Sequence, residues 1–229
     1  MYMKQQNVSV SFMLMGILFC TCLVAANLLE TKVLQVGPIS MTAGFMVFPI
    51  SYIINDCIAE VWGYRKARLI IWMGFLMNFF VVALGQLAVA IPAAPYWQGE
   101  EAFNFVFGLA PRITIASLTA FLVGSFLNAY VMSKMKIMSR GRNFSLRAVL
   151  STVVGESADS LIFFPIAFYG LMPVTELLKL MAIQVVAKTL YEVVALPVTI
   201  RVVNYVKRLE QTDVYDEGVS YKFWKVGEM

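Results

Sequence analysis

Residues 40–62 read SMTAGFMVFPISYIINDCIAEVW, an apolar run long enough to cross a bilayer that carries two carboxylates, Asp56 and Glu60. About 20 mostly apolar residues span a bilayer as a helix, and each charge kept at mid-depth costs about 2.5–3.5 kcal/mol on insertion scales. Chains keep such charge where it lines a pathway or binds something polar. The rest of the chain repeats the pattern. Further apolar stretches lie near 8–29, 67–91, 112–133, 148–170 and 176–204, with Glu156 and Asp159 in the fifth of the six and Lys188 and Glu192 in the sixth. Backbone groups in lipid must be satisfied within their own segment, so the expected fold is all-α, a membrane protein of six transmembrane helices.

Composition agrees. The chain has 229 residues, 60% of them hydrophobic and only 14% charged, against about 25% charged in a soluble domain. Without a long linker, residues 1–229 read as a single transmembrane domain with a polar tail from about 205. Of the 18 Lys and Arg, 14 fall at Lys4, Arg65–Arg68, Lys134–Arg147 and from Arg201 onward. The positive-inside rule then puts both termini in the cytoplasm of a cell (inner or plasma) membrane, as an even number of crossings requires. The basic loops are expected to meet anionic lipid headgroups, and a net charge of +4 gives no sign of a nucleic-acid partner. Cys20, Cys22 and Cys57 sit in apolar spans and read as small buried hydrophobes. The absence of His excludes His proton relays, Ser-His catalysis and His-ligated metal. No cofactor is expected.

Depth and spacing gather the polar residues. At 1.5 Å per residue, Asp56, Glu156, Asp159, Glu192 and Lys188 lie roughly 10, 12, 16, 14 and 20 Å from the basic side. Asp56 and Glu60 are i, i+4, as are Gln184, Lys188 and Glu192 in succession, and Glu156, Asp159 and Ser160 are i, i+3, i+4, so each helix has one polar stripe. The stripes are expected to face one another. Fully ionised, five acids and one Lys carry −4, so the set either holds protons or attracts a cationic, donor-rich ligand. Intramembrane salt bridges, with Lys188 joining Glu192 or Asp159, are the plainer reading; Glu60 could instead pair with Arg65 or Arg68 at the interface. Tyr52, one turn before Asp56, could stack on a flat heterocycle beside carboxylates that accept paired N–H bonds from a guanine-like edge. Asn55 adjoins Asp56. Pro49, Pro165 and Pro197 are expected to kink their helices, and an inverted three-plus-three repeat is open.

The run Phe48-Pro49-Ile50, then Asn55-Asp56 through Glu60-Val61-Trp62-Gly63-Tyr64 to Ala67-Arg68, with Gly155-Glu156-Ser157-Ala158-Asp159-Ser160 in the fifth span and Lys188 in the sixth, resembles the queuosine precursor transporter family of vitamin uptake transporters over about residues 10–205. The resemblance implies uptake of a small-molecule nucleobase, a 7-deazaguanine such as queuine, preQ1 or preQ0, with Asp56, Asp159 and Lys188 as pocket residues. Proton coupling through a carboxylate is expected. The alternative is a substrate-binding subunit of an energy-coupling-factor importer with an ATPase partner, although span 1 has no Ala-x-x-x-Ala docking motif. A homo-oligomer is left open. An intramembrane aspartyl protease built on Asp56 and Asp159 would need the Gly-x-Gly-Asp run that this chain lacks, so the chain is read as no enzyme. The expected substrate site is Asp56, Glu60, Glu156, Asp159, Lys188, Glu192, Gln184, Asn55 and Tyr52.

Overall fold

A computed structural model describes residues 9–29, 31–36, 39–108, 111–170 and 173–223. Lys4, Glu30 and the Gly37-Pro38 pair lie outside the described residues. The chain forms α1 (Val10–Leu29), strands β1 (Val33–Val36) and β2 (Ile39–Thr42), a 3-10 turn (Ala43–Met46), α2 (Phe48–Ala90), α3 (Glu100–Phe107), α4 (Pro111–Met138), α5 (Phe144–Phe168) and α6 (Val174–Glu210). Among the described residues, five helical stretches are long and apolar enough to cross a membrane. Their outward faces carry large apolar side chains, among them Leu14 and Ile17 on α1, Phe79 and Phe80 on α2, Leu161 on α5 and Val194 on α6. Such contiguous apolar surface suits lipid.

The expected second and third spans are one element, broken at Gly63, whose φ of 80° and ψ of 174° leave the helical region. Neighbours show that the chain reverses there. Ala43 N–H donates to Lys32 O at 2.8 Å beyond the end of α1, whereas the Trp62 ring packs at 5.3 Å on Phe12 near the start of α1. Residues 48–62 therefore run antiparallel to α1. Residues 64–90 run parallel to it, with Gly74 against Phe19 and Asn78 Oδ1 accepting from Asn27 Nδ2 at 2.6 Å. A left-handed φ is open to glycine at little cost. Here a Cβ would also meet Asp216 Oδ1 at 2.7 Å and Val214 Cγ1 at 2.9 Å.

The start of the second span differs from the expected helix at 40–62. Residues 33–36 and 39–42 pair as antiparallel strands in register Val33 with Thr42 and Val36 with Ile39. Val33, Val36, Ile39 and Thr42 are β-branched, and this composition favours extended backbone. Pro49 stands in the first turn of α2, where its missing N–H removes no helical bond, so it starts a helix instead of kinking one. Pro165 and Pro197 do lie within α5 and α6. Between the expected third and fourth spans lies α3, whose first turn holds Glu100 and Glu101, favourable against the helix dipole.

At the centre, α4 and α5 approach through glycines. A Cβ on Gly124 would meet Gly155 O at 2.9 Å, and one on Gly155 would meet Gly124 O at 3.0 Å and Asn128 Cβ at 2.9 Å. Small residues permit this backbone contact in lipid. The apolar core joins Phe19, Ile58, Ile71, Phe121, Met132 and Ala148 across α1, α2, α4 and α5. Cys22 and Cys57 are buried and Cys20 half-buried, all as thiols.

Candidate functional site

The two limbs of α2 divide its acids between two places. Asp56 lies mid-limb and turns inward. Its Oδ1 accepts from Asn128 Nδ2 of α4 at 2.7 Å and from Ser151 Oγ of α5 at 3.5 Å. Its Oδ2 has no hydrogen-bond partner among the described residues. The Glu192 carboxyl of α6 faces Asp56, with Thr152 of α5 beside it. On the next turn of α5, Glu156 Oε2 lies 2.7 Å from Lys188 Nζ, and Asp159 Oδ2 lies 3.7 Å from the same nitrogen. Lys188 also sits 4.2 Å from the centre of the Phe48 ring.

Asp56, Glu156, Asp159, Lys188 and Glu192 thus form one polar core between α2, α5 and α6, walled by α4. All five are buried, Asp159 and Lys188 the least so at 8% and 9% exposed. Four carboxyls face one ammonium. An excess of acid in a low-dielectric interior leaves room for protons or for a cationic ligand.

Tyr52 and Asn55 border this core. The Tyr52 hydroxyl is buried without a hydrogen-bond partner among the described residues and reaches the Gly124 crossing. The Tyr52 ring packs at 5.6 Å on Phe48. Asn55 Nδ2 donates to Ser125 O at 3.3 Å, and its Oδ1 is left unpartnered among the described residues. Ser160 Oγ and Glu156 Oε1 are likewise buried and unpartnered. A buried polar atom without a partner is costly, and such a concentration suits a place able to accept hydrogen bonds from or donate them to a polar guest. Gln184 is half-buried one turn before Lys188.

Glu60 is not part of this core. It lies at the basic end of the bundle, where Arg147 Nη2 and Lys207 Nζ each donate to it at 2.7 Å, and Lys136 Nζ is 3.8 Å away. Its partners are therefore neither Arg65 nor Arg68. The Arg68 guanidinium donates instead to Ser220 O at 3.2 Å and Lys222 O at 2.8 Å. Lys188 pairs with Glu156 and Asp159, and Glu192 faces Asp56.

Sequence reasoning missed Asn128, Ser151 and Thr152. Thr152 and Glu156 are i, i+4, and Asn128 interrupts an apolar span, so both carried a readable signal. An open cleft in the structure is elsewhere, lined by Val24, Asn27, Leu28, Asn78, Val81, Val82, Val106 and Phe107. Asn27 acts there as a packing group, since its Oδ1 also accepts from Ser117 Oγ at 3.2 Å.

Comparison with known proteins bears on this arrangement. Residues 42–202 match the family model described as "Putative vitamin uptake transporter". A protein of Bacillus subtilis (strain 168) named "Probable queuosine precursor transporter" is 27% identical over 175 residues, 76% of this chain and 76% of its own. A protein of Haemophilus influenzae with the same name is 27% identical over 128 residues, 56% of this chain and 52% of its own. The "Queuosine precursor transporter" of Escherichia coli (strain K12) is 27% identical over 132 residues, 56% of this chain and 55% of its own. The chain thus spans about half the length of these last two relatives. No solved structure matches. The family match takes in all of α2, α4 and α5 and most of α6, and hence every residue of the polar core. The chain belongs to the vitamin uptake transporter family.

Proposed function

We propose that this chain is a multi-pass transporter for a queuosine precursor, a 7-deazaguanine such as queuine, preQ1 or preQ0, with the polar core as its binding and coupling site. The observation that carries the reading is the meeting of Asp56, Glu156, Asp159, Lys188 and Glu192 in one buried cluster. The names of the relatives support the substrate class. The reversal at Gly63 supports six passes, and the basic residues gathered at one end favour cytoplasmic termini by the positive-inside rule.

The cluster has two halves that suit two tasks. Glu156 and Asp159, with Tyr52 and Phe48 beside them, suit the substrate: carboxylates accept the paired N–H groups of a guanine-like edge, and an aromatic face stacks on a flat base. Lys188 holds these acids in the empty site and is displaced when a cation takes its place. PreQ1, with its aminomethyl cation, fits this better than neutral preQ0. Asp56 and Glu192 suit the proton. Two carboxyls that face each other in an apolar interior hold one proton between them, and taking up or losing it changes the charge of the site. Neither the relatives' names nor the contacts favour a subunit dependent on an ATPase partner.

The test is genetic. Expression in a strain unable to make the precursor should restore queuosine in tRNA when the medium supplies a 7-deazaguanine base. Expression of the chain at the membrane with no queuosine from any of the three bases would reject the reading. Competition of labelled uptake should rank preQ1 above preQ0; the reverse order would reject the displacement of Lys188 by a cationic substrate.

A further inference from the structure

The polar tail does not trail along the membrane surface. Residues 211–223 fold back across the basic end and grip both sides of the Gly63 reversal. On the near side, Val214 N–H donates to Val61 O at 3.2 Å. On the far side, both oxygens of Asp216 accept from Tyr64 N–H, at 3.1 and 2.9 Å. Asp216 thereby caps the first free N–H of the 64–90 limb, although it lies 152 residues away.

The same strap ties in three further places. Ser133 Oγ of α4 donates to Asp216. Lys136 of α4 donates to Asp213, to Val214 O at 2.8 Å and to Glu60 O. Lys207 of α6 meets Asp213 at 2.9 Å. Farther along, Tyr64 Oη donates to Tyr221 O at 3.1 Å and Trp72 Nε1 to Phe223 O at 2.9 Å.

The character of these bonds separates a latch from a fixed part of the core. Within 211–223 only Asp216 is buried; Val219 and Tyr221 reach the core half-buried, and the Tyr221 and Phe223 rings pack on Tyr64, Tyr130 and Phe126, so ions, hydrogen bonds and partly exposed side chains hold the strap, with no apolar side chain of it buried. Segments with few buried apolar contacts open locally at far less cost than the core does. Partial burial alone would push the Asp213 carboxyl up, but the hydrogen bonds from Lys136 and Lys207 outweigh it and hold it below the ordinary carboxylate range. The family match ends at residue 202, so the strap is not part of the matched region.

We propose that residues 211–223 are a latch on the basic end of the bundle: while Asp216 clamps the Gly63 reversal, the limbs of α2 stay joined to α4 and α6, and release of the strap opens the polar core toward that end. Its role as the inner gate of transport rests on the transporter reading above, but the opening itself does not.

Native Cys57 reports that opening. It is 2% exposed, follows Asp56 in the chain, and packs with Val61, Val203 and Val206 beneath the strap. The experiment measures the rate at which a hydrophilic thiol reagent labels Cys57 in the purified full chain, read at that residue by peptide mass spectrometry. In D216N the rate should rise about tenfold or more, as expected for loss of a charge-assisted clamp. An unchanged rate in folded D216N overturns the latch.

A second variant decides the matter if D216N does not fold. The cysteine pair V61C/V214C links two residues whose backbones are already hydrogen-bonded at 3.2 Å. After mild oxidation, Cys57 labelling should fall at least about tenfold relative to the reduced form. Equal rates overturn the latch. Neither readout needs a substrate. If Cys57 labelling responds while no base is transported, the transporter reading fails and the latch stands; if uptake is present and labelling ignores both variants, the reverse holds.

Discussion

Replacing Lys188 by Met removes the cation that Glu156 and Asp159 share, and the structure sets the size of the effect. At 2.7 and 3.7 Å, with an effective dielectric constant of about 20, the two attractions are ~6 and ~4 kcal/mol before desolvation is counted. Burial of the charges offsets much of this, but deleting one partner leaves the others' desolvation uncompensated, a loss of about 3–5 kcal/mol. Met keeps the length and apolar stem of Lys, so packing changes little. E156Q alone should cost less, because Lys188 keeps Asp159. The double variant E156Q/K188M should recover a large part of the K188M loss, with a coupling energy of about 2–3 kcal/mol. Reversible unfolding in mixed micelles of the wild type, both single variants and the double variant gives the cycle. A K188M protein within about 0.5 kcal/mol of wild type, or single effects that simply add, would refute the claim that this Lys neutralises a buried acid cluster.

Other outcomes follow from the same geometry. G63A should lose about 1–3 kcal/mol in the same unfolding assay, because alanine must adopt a φ of 80° and its Cβ meets Asp216 at 2.7 Å; a neutral G63A would mean that the reversal is not fixed there. D56N should fold and reach the membrane but take up precursor at least about 100-fold more slowly, with base binding by the purified protein little changed if Asp56 serves the proton; unchanged uptake would remove Asp56 from the site. Because the folded Asp213 carboxyl is held below its ordinary value, its bonds to Lys136 and Lys207 stabilise the fold fully above about pH 4 and lose that effect as pH falls through the depressed value. The stability difference between wild type and D213N should therefore shrink on acidification in thermal-melt measurements, and a difference that grows would contradict the pairing.

The sequence displays much of this, and physical reasons mark where it stops. Asp56, Glu156, Asp159, Lys188 and Glu192 are legible as one layer because helix rise converts residue number into depth. The faces they share follow from i, i+3 and i+4 spacing. Spacing along one helix does not reveal which helix lies opposite, so Asp56 facing Glu192, and Glu60 turning to Arg147 and Lys207 at separations of 87 and 147 residues, appear only in three dimensions. The strand pair at 33–36 and 39–42 was hidden because an apolar stretch with β-branched residues reads equally as helix or strand, although Pro49 marks a helix start. Gly63 stands between Trp62 and Tyr64 beside a basic run, a fair sign of a turn between spans. The grip of Asp216 on Tyr64 N–H had no local sign, since a carboxylate in a polar tail reads as solvated.

The central claim is that the acid-rich core and Lys188 receive the transported base. A structure of the protein bound to preQ1 measures this directly. The account predicts density for the base at Glu156 and Asp159, beside Tyr52 and Phe48, with the Lys188 ammonium moved away from Glu156. Density confined to the cleft by Asn27 and Asn78, with the Lys188 to Glu156 pair still at 2.7 Å, would contradict it.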